Sequence, residues 1–136
     1  MAMHTHISGI ILGIFFLAAG VMHFVATDQY VAMMPFFLPW HEGLVYLSGF
    51  LEIAGGIGVM FSSTRRFAGV GLIVLLIAVF PANVHVALHG LPIADTGVPI
   101  WSLWLRLPLQ LVFLYWVAKV TLFDASFENF SASCDP

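Results

Sequence analysis

The chain has 136 residues, of which 61% are hydrophobic and only 8% charged, with a formal net charge of −3. Soluble domains run at about 25% charged residues, so a water-soluble globule is excluded. With only four Lys and Arg in the chain, there is no basic patch to meet nucleic acid. Four apolar blocks fill the sequence, at residues 7–26, 44–61, 67–88 and 100–123, and a helix needs about 20 such residues to cross a bilayer. The sequence therefore predicts an all-α fold: one domain over residues 1–123, a bundle of four transmembrane helices running up-down-up-down, then a polar cytoplasmic tail at 124–136.

Block 7–26 lacks a preceding Lys or Arg and is too long for a signal peptide, so it is expected to remain in the mature protein. It ends with His23. Residues 27–43, TDQYVAMMPFFLPWHEG, are predicted to lie along the membrane interface or to cap the bundle. Block 44–61 carries Glu52 near its middle, with Ser48, Gly55 and Gly56 on the same helical face. Arg65 and Arg66 precede block 67–88, which contains Pro81, Asn83 and His85. Pro81 should free the carbonyl of Ile77. Residues 89–99, HGLPIADTGVP, read as a structured turn. Block 100–123 holds Arg106, Pro108 and Gln110 and reaches Lys119 near its end. Cys134 is the only cysteine, so an intramolecular disulfide is impossible.

Arg65, Arg66 and Lys119 set the expected orientation, because Lys and Arg accumulate on the cytoplasmic side. Both termini and the 61–66 connection are then cytoplasmic, in a bacterial inner membrane. With a rise of about 1.5 Å per residue, His23, Glu52, Asn83, His85, Arg106 and Gln110 all fall in the outer half of the membrane. Polar groups in hydrocarbon face inward, toward one another or a ligand. These six are the candidate pocket residues, and Glu52 and Arg106 are expected to form a structural ion pair joining the second and fourth spans. His41, His85 and His89 are the weaker alternative of a metal site, and His23 with His85 of a haem site. No specific ligand spacing supports either, so no metal and no haem are expected. No cofactor is expected, though an oxygen-bearing apolar molecule such as a quinone or a lipid would suit such a pocket.

The pattern Gly20-x-x-His23-Phe24, Met34-Pro35-x-x-Leu38-Pro39, Ser48-Gly49-x-x-Glu52-Ile53-x-Gly55-Gly56, Arg66-Phe67-Ala68-Gly69, Phe80-Pro81-Ala82-Asn83 and Arg106-Leu107-Pro108-Leu109-Gln110 resembles the DoxX-like family of small bacterial membrane proteins. The resemblance implies a four-helix bundle, with links in some members to quinone-dependent sulfur oxidation and to redox-stress complexes. It carries over no catalytic residue. The first expected function is an accessory or assembly subunit, with a quinone-linked redox complex as its setting. The alternatives are a membrane enzyme or small-molecule binder using the outward pocket and, more weakly, a proton-coupled transporter. Expected partners are the lipid bilayer, a protein of a membrane complex or a second copy of the chain.

Overall fold

The computed structural model describes residues 2–90 and 100–123, with side chains from His6 to Gly90 and from Trp101 to Phe123. The predicted turn at 91–99 and the tail at 124–136, with Cys134, lie outside the described residues. Within them the chain is helical: α1 (Ala2–Val25), a short α2 (Thr27–Ala32), α3 (His41–Met60), α4 (Arg65–His89) and α5 (Ile100–Ala118), which continues into a π-helical turn at Lys119–Phe123. Four of these are long and apolar enough to cross a membrane, with mean hydropathy from 1.3 to 2.3. Their outward faces stay apolar: Phe67 is 84% exposed, and Phe50 and Tyr115 also project from the bundle. In water such surfaces would associate; in lipid they are solvated.

Glycine spacing explains the tightest packing. Gly13 and Gly20 on α1 stand two turns apart, and so do Gly49 and Gly56 on α3. A Cβ on Gly56 would sit 2.8 Å from the Gly13 carbonyl oxygen, and one on Gly49 2.9 Å from that of Gly20. The two backbones are therefore in contact, as small residues permit between helices in lipid. Gly55 faces the other way and receives the side chain of Leu72 from α4, while Gly58 receives Ala68. Thus α3 lies between α1 and α4, and α4 packs in turn on α5. A buried cluster of Leu12, Phe16, Val59, Leu72, Val117 and Val120 closes the end of the bundle nearest the α3–α4 turn. A smaller cluster of Met33, Val86 and Leu103 closes the opposite end.

Arg65 corrects the picture of a free loop cation. It is the first residue of α4 and only 2% exposed, with Nε donating to the Val59 carbonyl at 3.0 Å. Its guanidinium lies against Gly9 of α1, and Nη2 is buried with no hydrogen-bond partner. The α3 C-terminus leaves carbonyls unpaired, and Arg65 caps one of them. A lone buried charge with an unsatisfied donor is a weak stabiliser. Arg65→Met is accordingly expected to fall within about 1 kcal/mol of the parent in detergent unfolding. Arg65→Ala, which also leaves a hole, should lose about 2 kcal/mol or more.

The segment joining α2 to α3 is braced rather than loose. His41 Nε2 donates to the Pro35 carbonyl at 3.0 Å. Trp40 adopts a left-handed backbone (φ 65°) and lays its ring over Gly43, a conformation uncommon outside glycine. Phe36, Phe37 and Trp40 are all strongly exposed, in keeping with the predicted interfacial role.

Candidate functional site

Between the two closing clusters lies a cavity of about 270 Å³. The sequence placed six polar residues at one depth, and five of them line it: His23, Glu52, Asn83, Arg106 and Gln110. The sixth, His85, does not. It stacks on His89 with ring centroids 4.4 Å apart and meets the edges of Phe36 and Phe37. The cause is helical geometry: two residues on from Asn83 is about 200° around α4. The proposed haem pair of His23 and His85 is divided in the same way. His41 is committed to the Pro35 carbonyl, and the His89 ring to the His85 carbonyl at 3.0 Å. Among the described residues, no three His, Cys, Asp or Glu side chains stand close enough to hold a metal.

The expected Glu52–Arg106 ion pair is also absent. Helices α3 and α5 stand diagonally across the bundle, with the cavity between them, so the two charges face it from opposite walls. Among the described residues the one ion-pair contact of Glu52 is with His23, Oε2 to Nδ1 at 3.6 Å. That is too long for a hydrogen bond, and the Nδ1 proton is already given to the Ala19 carbonyl at 3.0 Å. Glu52 Oε2 is thus buried without a hydrogen-bond partner. Among the described residues Arg106 makes one hydrogen bond, from Nη1 to the Met33 sulfur at 2.8 Å. A guanidinium has five donor hydrogens, so among the described residues most of its capacity is uncommitted.

Asn83 and Gln110 do a different job. Gln110 Nε2 donates to the Leu76 carbonyl, which fixes its Oε1 as acceptor for Asn83 Nδ2 at 2.8 Å. Together they staple α5 to α4 on both sides of Pro81, at Leu76 before it and Asn83 after it. The bonded carbonyl is that of Leu76, adjacent to the Ile77 carbonyl expected to be freed by Pro81. Ser48 likewise spends its hydroxyl proton on its own helix, at the Leu44 carbonyl 2.7 Å away. The groups left to meet a ligand are Glu52, Arg106 and the residues contributed by the short helix α2.

Residues 12–121 match the family described as Domain of unknown function, DUF8561. The chain belongs to that family. No curated protein and no solved structure matches it. The site of this DUF8561 protein is therefore read from its own geometry.

Helix α2 supplies what the sequence analysis missed. Tyr30 and Met33, one turn apart, both face the cavity, and Met34 joins them. Tyr30 stacks on the His23 ring with centroids 4.0 Å apart. Burial raises the Tyr30 hydroxyl above its ordinary phenolic range; the Glu52 charge adds to this and the Arg106 charge opposes it. Tyr30 thus feels both charges and stays a neutral hydroxyl at physiological pH. The available signal was the i, i+3 spacing of Tyr30 and Met33, which puts them on one helix face. Phe15, Phe16 and Phe113 complete an aromatic lower wall.

Proposed function

We propose that this protein is a multi-pass protein of the bacterial inner membrane whose outward-half cavity binds a lipid-soluble small molecule with an oxygen-bearing head. Its four long helices run up-down-up-down, with both termini in the cytoplasm. The observation that carries the reading is that Glu52 and Arg106 line one cavity and, among the described residues, do not pair with each other, with Glu52 Oε2 buried and lacking a hydrogen-bond partner. A bundle that needed polar residues only for helix register would have paired them, because an isolated charge in a membrane is costly. The lining is otherwise aromatic and apolar, which is the usual make-up of a small-molecule site. A quinone has this chemistry, with carbonyl oxygens for Arg106 and a ring for Phe16 and Tyr30. The DoxX-like motifs support the same class. Binding such a molecule is compatible with service as a subunit of a quinone-linked complex, and no observed group requires a catalytic step.

The experiment is photolabelling in native membranes with a benzoquinone carrying a photoreactive decyl chain, followed by peptide mapping. Saturable labelling of α1, α2 or α5 around the cavity supports the reading. Labelling confined to the lipid-facing surface would refute it.

The orientation has a separate test. Arg65, Arg66 and Lys119 lie toward the end of the bundle that holds the α3–α4 turn, and His41, Glu42 and His89 lie toward the other. A C-terminal green fluorescent protein fusion should fluoresce and a C-terminal alkaline phosphatase fusion should be inactive. The opposite pair of results would invert the topology.

A further inference from the structure

Three of the four seams around the bundle are tied close to the backbone. Glycine contacts join α1 to α3, Gly55 and Gly58 seat α4 on α3, and the Asn83–Gln110 staple joins α4 to α5. The fourth seam, between α1 and α5, differs. There the described residues meet through side chains: Phe15 stacks on Phe113 with centroids 4.3 Å apart and planes at 21°. Further down, Trp116 Nε1 donates to Ser8 Oγ at 3.1 Å. Phe15 and Phe113 both line the cavity, and Phe15 is 40% exposed. At the level of the cavity this pair of rings is a contact between α1 and α5 that involves no hydrogen bond. Below it the Leu12–Val117 core is closed, and above it the Met33–Leu103 cluster is closed.

We infer that the cavity takes its ligand from within the bilayer through the α1–α5 seam, with an apolar tail held between Phe15 and Phe113 while an oxygen-bearing head reaches Arg106. This rests on the reading of the cavity as a binding site and adds the route and the ligand class: a molecule with one flexible apolar tail, already dissolved in the membrane. The rings can swing aside without breaking a hydrogen bond, whereas the α1–α3 seam is held in backbone contact and the α4–α5 seam by the Asn83–Gln110 and Gln110–Leu76 bonds. Glu52 lies on the far wall from the seam. A head that carries a hydroxyl as well as a carbonyl could donate to Glu52 Oε2 while accepting from Arg106, giving an incoming molecule a fixed direction.

The test closes the seam reversibly. Phe15→Cys and Phe113→Cys are placed in a Cys134→Ser background and joined by a short bis-methanethiosulfonate linker that reductant removes. The protein is held in nanodiscs of phosphatidylethanolamine and phosphatidylglycerol and exposed to the photoreactive decyl-benzoquinone. Labelling of cavity peptides is expected to fall to background when the linker is in place and to return on reduction. For each single-cysteine chain, which cannot be bridged, labelling with and without the reagent should be the same, so that the reagent's effect is specific to the linked pair. Equal labelling with the seam linked and open would overturn the route and leave the binding site standing. Absence of cavity labelling in the unsubstituted protein would overturn both. A second variant avoids any cross-link: Phe113→Ala removes the stack and should speed labelling roughly two- to tenfold, the Boltzmann weight of an aromatic pair. An unchanged or slower rate there would also count against the seam.

Discussion

Gly56→Leu is expected to prevent assembly of the native bundle. The first atom of any side chain at this position meets the Gly13 carbonyl oxygen at 2.8 Å and the Leu17 amide nitrogen at 3.0 Å, both backbone. Neither can rotate away, so α1 and α3 must separate along their length. Overpacking in an ordered interior costs about 1–3 kcal/mol, and a whole leucine against a backbone contact belongs at or above the top of that range. Separation would also misplace His23 and Phe16, which reach the cavity from α1. Gly71→Ala is the matched control, since a Cβ there meets nothing within 4 Å. In a helix interior Ala is favoured over Gly by about 1 kcal/mol, so this variant should melt at or slightly above the parent temperature. Detergent unfolding followed by circular dichroism reads both. A Gly56→Leu chain with parental stability would mean that α1 and α3 do not meet as described.

Arg106→Gln is expected to remove ligand binding and spare the fold. Truncating one side of a buried, hydrogen-bonded charge contact costs about 2 kcal/mol or more in binding, roughly a thirtyfold rise in Kd. The bundle loses only the Arg106–Met33 contact. Glu52→Gln should likewise leave stability at or above the parent value, because the carboxylate it replaces is buried with an unpartnered oxygen. In a double-mutant cycle on unfolding, the coupling between the two positions should stay below about 0.5 kcal/mol, as for sites without direct contact. A coupling of several kcal/mol would restore the ion pair that the diagonal placement of α3 and α5 rules out. Measuring melting and probe binding on the same preparations separates loss of function from loss of structure.

The spans were legible because length and hydropathy decide them. The expected block 67–88 became α4 at Arg65–His89, and block 100–123 became α5 with its π-helical continuation to Phe123. The shared depth of the polar residues was legible for the same reason, since rise per residue is fixed, and five of six met in one cavity. Neighbour relations were not legible. Helices surrounded by lipid are apolar on every side, so no stripe marks the face that packs. Gly56 could have served α1, α4 or α5, and the expected Glu52–Arg106 pair did not form because the glycines of α1 matched those of α3, which brings Glu52 beside His23 instead. Arg65 was misread because a pair of basic residues beside a span normally reaches for water, whereas here the missing side chain of Gly9 makes room for one of them inside. Tyr30 and Met33 were hidden in a stretch whose aromatic content pointed to the interface. It serves both purposes: Phe36, Phe37 and Trp40 are exposed, while Tyr30, Met33 and Met34, at and just beyond the end of α2, line the cavity.

The most direct measurement is native mass spectrometry of protein released gently from its own membranes, wild type beside Arg106→Gln at matched stability. The wild-type chain should carry a lipid-soluble, oxygen-bearing molecule in a defined ratio, and the variant should lose it. A molecule retained equally by both, or a wild-type chain whose cavity stays empty even when saturated with quinones and single-tailed lipids, would contradict the account.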